Sequence, residues 1–241
     1  MKRIIVATTF IVTLVLASLN AFAQTQSRED ALKELKAKRA ELAALEQKIL
    51  DVSDADREAN AAFVGGSDSG VIRLLPREKY DPKVMTITGG GAYYSFSRST
   101  HEYGYGSDIS LEQGMLSVGF AGADYGMIFN LGDTPLDEVA AHRATRALFD
   151  YTPPTKEVEV RRHQRDVNYG IEVSGFKFKN RVSARVLNTY LLRSISFERS
   201  DIAVAVRVVR QDTDGSMILV FKILKNFPTP ELDRTRVAEN Q

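Results

Sequence analysis

Cysteine and tryptophan are absent from this chain, and histidine occurs only three times in 241 residues. Without cysteine there is no disulfide, no thiolate nucleophile, no cysteine-built zinc site and no lipid anchored through a cysteine. His101, His142 and His163 form no i,i+3 or i,i+4 pair, and no H-E-x-x-H run occurs. No metal site and no other cofactor is therefore expected. An excess of one charge is missing too, since 32 basic residues face 31 acidic ones. That balance gives nucleic acid and anionic lipid no electrostatic hold, so neither is expected as a partner.

The familiar catalytic signatures are missing as well. Gly66-Ser67-Asp68-Ser69-Gly70 has aspartate where a nucleophile elbow needs serine. There is no phosphate-binding G-x-x-x-x-G-K-[ST], and no G-x-G-x-x-G follows a strand. Asp212-Thr213-Asp214-Gly215 lacks the remaining ligands of a calcium loop and reads as a hairpin turn. The basic run 161–165, "RRHQR", has acidic neighbours and no interleaved aromatics, which marks a solvated face. Carboxylates are plentiful, and their pairing in a glycosidase is a property of the fold, so a hydrolase stays open on this ground alone.

Long apolar runs are confined to the start of the chain. Lys2 and Arg3 precede an apolar stretch from Ile4 to Leu19, and Ala21-Phe22-Ala23 follows. These three parts in this order predict a secretory signal peptide over 1–23, cleaved before Gln24. The stretch is short for a bilayer span of ~20 residues. Losing Lys2 and Arg3 leaves 30 basic against 31 acidic residues. The mature chain is then expected to be periplasmic or secreted, with no transmembrane span.

Residues 24–64 predict an amphipathic helical stalk, broken near Ser53 or continuous to Gly65. Ser27 is its candidate N-cap, with Asp30 three positions on. Ala, Leu, Glu and Lys dominate the run, and all favour helix. Leu32, Leu35, Leu42, Leu45, Ile49 and Val52 recur at three- and four-residue steps along one stripe. Glu34 and Lys38 are spaced as an i,i+4 ion pair. A helix of this length is marginal alone, so Leu32, Leu35, Leu42, Leu45 and Ile49 are candidates for homo-oligomerisation, with packing against the same chain as the other use.

Beyond a Gly/Ser linker at 65–70, the period switches to alternation, which predicts a β-rich domain over 71–241. Candidate strands are 71–76, 83–97, 107–120 with a bulge or turn at Gly114, 123–132, 156–162, 169–179 and 185–197. A helix is expected near 134–150, with Pro135 inside its start. The clearest signal is a last hairpin, in which "IAVAVRVVR" and "SMILVFKIL" flank the Asp-Gly turn. Both strands are apolar on both faces and should be central and covered on both sides. The expected fold is mainly β, an antiparallel sandwich-like or curled sheet with the N-terminal amphipathic helix and one internal helix. A single α+β layer is the alternative.

The run 89–106, "GGGAYYSFSRSTHEYGYG", is the candidate site. Residues 89–96 read as strand, with Tyr94 and Phe96 in the core and the glycines marking a bulge or close packing. Residues 98–106 read as an exposed loop. Arg98, His101, Glu102, Tyr103 and Tyr105 would present rings and polar groups to a ligand, for which tyrosine suits both glycan and protein. Together these features predict a non-enzymatic binding or envelope-associated structural module, with an envelope protein or glycan as partner. The alternative is a secreted hydrolase of cell-wall or sugar polymers, which would need a concave pocket with two carboxylates, or His101 beside one.

Overall fold

The computed structural model describes residues 27–80, 83–101, 103–104, 106–120 and 122–234. The expected signal peptide and the site candidates Glu102 and Tyr105 lie outside the described residues. Two compact units divide between Ile49 and Leu50.

In the first unit the described residues are helical (α1, 27–50), and Ser27 is itself within the helix. The leucine stripe remains open to solvent, with Leu32, Leu35, Leu42, Leu45 and Ile49 between 38% and 56% exposed. Lys38 pairs with Glu41 at 3.0 Å, one turn onward, in place of Glu34. Such an exposed pair contributes well under ~1 kcal/mol.

Ser53 interrupts the helical run, as its capping chemistry implies. Its hydroxyl accepts from the Asp56 amide at 3.2 Å and starts α2 (Asp54–Ala59). Asp56 is buried and receives the Arg210 guanidinium. Helical turns continue through α2 and a 3-10 turn at Ala61–Phe63, and α2 belongs to the second unit. Ser69 and Gly70, expected as linker, already pair with Lys222 and Phe221 in β1 (Ser69–Leu74).

The second unit is built on an antiparallel five-stranded sheet in the order β1-β11-β10-β9-β5. Its further strands are β5 (Tyr125–Gly132), β9 (Thr189–Ser196), β10 (Ser200–Gln211) and β11 (Met217–Asn226). Alternation along β10 explains its central place. Ile202, Val204, Val206 and Val208 enter one core, while Ala203 and Ala205 enter the other. The first core is closed by a four-stranded antiparallel sheet, β2 (Tyr93–Tyr94), β3 (Ile109–Glu112), β4 (Met115–Ser117) and β8 (Arg181–Ser183). Ile109, Leu111 and Leu116 are its inward residues. The second core is closed by α3 (Arg143–Asp150), α4 (Glu157–Tyr169) and the hairpin β6–β7 (Ile171–Val173, Phe176–Phe178). The protein is thus mainly antiparallel β with a few helices. Among the described residues, no helix is long and apolar enough to cross a membrane.

Four expected elements differ. Residues 156–162 lie at the start of α4 and are not a strand: Val158 is 71% exposed while Val160 is fully buried. Val160 and Val167, seven residues apart, form the inward stripe, and Arg161 pairs with Glu157 one turn back. The helix expected over 134–150 is reduced to a 3-10 turn at Val139–Ala141 and α3, with His142 Nδ1 accepting the Ala144 amide at 3.1 Å. The strand read across 83–97 shrinks to Tyr93–Tyr94, because Gly89, Gly90 and Gly91 all have positive φ and turn the chain. The reading 169–179 is a hairpin whose phase shift is its turn at Ser174-Gly175. The Asp-Gly hairpin stands as expected, with Asp212 held by Arg73 and Arg210.

Candidate functional site

The small sheet has one face in the core, so the other parity faces outward. Pairing places Tyr93 beside Ser110, Ser110 beside Ser117, and Ser117 beside Arg181, one row across all four strands. Small hydroxyl side chains at the middle of the row leave a floor. Tyrosine stands at one end and arginine at the other.

Aromatic rings wall the tyrosine end. The Tyr103 amide donates to the Thr88 carbonyl at 2.8 Å, which sets its ring edge-on 4.7 Å from Tyr93. Phe120 meets Tyr93 from another side at 5.1 Å. Gly89 permits this packing, since a Cβ there would lie 2.5 Å from the Tyr93 ring and 2.8 Å from Tyr103. Arg77 lies over the Tyr93 ring at 5.8 Å and pairs with Glu112 at 3.1 Å. Burial pushes the Tyr93 hydroxyl above its usual pKa, with Arg77 opposing, so it remains a neutral donor and acceptor at physiological pH.

These residues enclose an open hollow of about 280 Å³. A second hollow, of about 150 Å³, adjoins it and is lined by Gln164, Arg165 and Asn168 of α4. The two share Val118, Gly119 and Asn180. Gly119 is required at this seam: its φ is +80°, and a Cβ would lie 2.7 Å from the Gly126 amide nitrogen. No family model, curated protein or solved structure matches this chain.

Of the residues expected in the site, Tyr103 joins the hollow and two others do not. His101 bonds the Arg73 carbonyl through Nε2 at 2.7 Å and meets the Tyr94 ring at 4.8 Å. Burial lowers its pKa, only partly offset by the Arg73 carbonyl, so it is neutral and braces β1. Arg98 is exposed, 3.5 Å from the Ser95 hydroxyl and beside Gly106. Sequence reasoning missed Arg77, Tyr93, Ser110, Ser117, Phe120, Asn180 and Arg181. Their outward parity was readable strand by strand, but strand pairing alone brings positions 93, 110, 117 and 181 into one row.

A second cluster of ionisable groups lies in the interior. Tyr125 and Tyr151 hydroxyls are 2.8 Å apart, and Tyr151 bonds His163 Nε2 at 2.7 Å. His163, expected to be solvated at a strand end, is thus a half-buried helical residue. Burial pushes Tyr151 up to about 12 and Tyr125 higher, and lowers His163. Beside them Arg193 and Asp201, each 2% exposed, form a bidentate pair of 2.7 and 2.8 Å. Arg193 also donates to the Leu148 and Tyr151 carbonyls and stacks on Phe227 at 3.6 Å. These bonds tie the helices to the sheet.

Proposed function

We propose that this chain is an exported, non-enzymatic binding module that holds an envelope glycan on the outer face of its small sheet. The observation that carries the reading is the serine-floored, aromatic-walled hollow. The half-buried Ser117 hydroxyl and Asn180 amide match the hydroxyls of a sugar, and rings such as the exposed Tyr103 offer it an apolar face. Export rests on the basic, apolar and small-residue order of residues 1–23. Hydrolysis finds less support. The hollow's carboxylate, Glu112, is neutralised by Arg77, and His101 is spent on a backbone carbonyl.

The exposed stripe of α1 supports a second part of the proposal, self-association of the chain through Leu32, Leu35, Leu42, Leu45 and Ile49.

Filling the hollow tests the binding role. Wild-type protein is expected to co-sediment with insoluble cell-wall glycan, and Ser117→Trp, with an unchanged circular dichroism spectrum, is expected to stay in solution. Equal sedimentation of the two would reject this face as the site.

A further inference from the structure

We infer that the glycan is an acidic one, in which a neutral sugar adjoins a unit bearing a carboxylate, and that the two hollows read it in a fixed direction. The inference rests on the glycan reading above and adds the chemistry of the ligand. Charge is distributed unevenly along the site. At the aromatic end, Arg77 is committed to Glu112 and to the face of Tyr93. A carboxylate placed there would meet Glu112, whereas an uncharged ring can rest on Tyr103.

At the seam the situation reverses. Arg181 and Arg165 lie in the linings on either side of Asn180, and both are exposed. Among the described residues neither has an ion-pair partner, while Arg77, Arg193, Arg207 and Arg210 all do. A guanidinium presents a planar fork that fits a carboxylate in bidentate fashion. The amide of Asn180 donates to Asn168 at 2.6 Å, which fixes its orientation between the two arginines. Gly119 lies in both linings and packs its backbone against Tyr125 and Gly126, so the two hollows adjoin at one seam.

A polypeptide fits this surface less well. Peptides added to a sheet take the backbone groups of an edge strand, or seat apolar anchors in pockets. Here the row lies on the face of the sheet, and its floor is Ser110 and Ser117.

Calorimetric titration of the full chain decides the matter with four probes. They are an oligosaccharide alternating N-acetylglucosamine and glucuronate, an N-acetylglucosamine oligomer of equal length, hexaglutamate, and inorganic phosphate. The acidic oligosaccharide is expected to bind about tenfold or more tightly than the neutral one, the difference of one charge-assisted contact. Arg181→Gln should weaken the acidic oligosaccharide about tenfold more than the neutral one, whereas Tyr103→Ala should weaken both alike. Equal affinity of wild-type protein for the two oligosaccharides would overturn the inference and leave the glycan reading standing. Hexaglutamate or phosphate binding as tightly as the acidic oligosaccharide would also overturn it, since charge alone would then be read. Failure of both oligosaccharides to bind would remove the glycan reading itself.

Discussion

Asp108 offers a measurement in which a buried charge reports on the packing between the two sheets. It precedes β3, and its side chain is turned inward with no exposed surface. Oδ2 accepts the Phe96 amide at 2.7 Å, and Oδ1 has no hydrogen-bond partner. Burial pushes the carboxyl from 3.8 up to about 6, although Ser194, the Phe96 and Ser97 amides and Ser95 favour the charged form. Below pH 3.8 both folded and unfolded chains hold the proton, and the group contributes nothing to pH dependence. Between that value and about 6 the folded chain keeps a proton that the unfolded chain has released, so stability falls as pH rises. Above about 6 the whole penalty stands, and two pKa units correspond to about 3 kcal/mol. Asp108→Asn retains an acceptor for the Phe96 amide and removes the buried charge. Urea unfolding followed by circular dichroism should show the variant more stable than wild type by up to about 3 kcal/mol near pH 8, shrinking to within about 0.5 kcal/mol near pH 4. A difference that stays flat across this range, or a variant less stable at the alkaline end, would refute the argument.

Asp201→Asn leaves the Arg193 guanidinium buried without its countercharge and should cost about 3–5 kcal/mol in the same assay. A loss below about 1 kcal/mol would mean that the Leu148 and Tyr151 carbonyls and the Phe227 ring suffice. In α1, Leu42→Lys with Leu45→Lys is expected to convert an oligomer to a monomer in light scattering, with the body's unfolding midpoint unchanged. An unaltered mass would reject self-association through the stripe.

Legibility in the sequence followed how local the deciding interaction was. The last hairpin was readable because both strands are apolar at every position that matters and Asp-Gly supplies its turn. Ser53 was readable as a break because its capping hydroxyl acts on an amide three residues away. Residues 156–162 misled because Val158 and Val160 alternate over too short a span to establish a period. Burial of Val160 and Val167 beneath the large sheet selected the helix. The glycine-tyrosine run misled in the other direction: its loop half was read as one site, yet His101 is a brace while Tyr103 lines the hollow, and Tyr93 of its strand half joins the hollow.

From sequence alone came the amphipathic stripe of α1, the β character of the body, and the double-faced apolarity that makes β10 and β11 central. These follow from periodicity and from backbone preferences that act within a few residues. Tertiary structure decided that Tyr93, Ser110, Ser117 and Arg181 share one row, that Asp108 is buried, and that Arg165 and Arg181 line two hollows sharing Asn180. Those relations reach beyond the few residues over which backbone preferences act, and only strand pairing and desolvation create them.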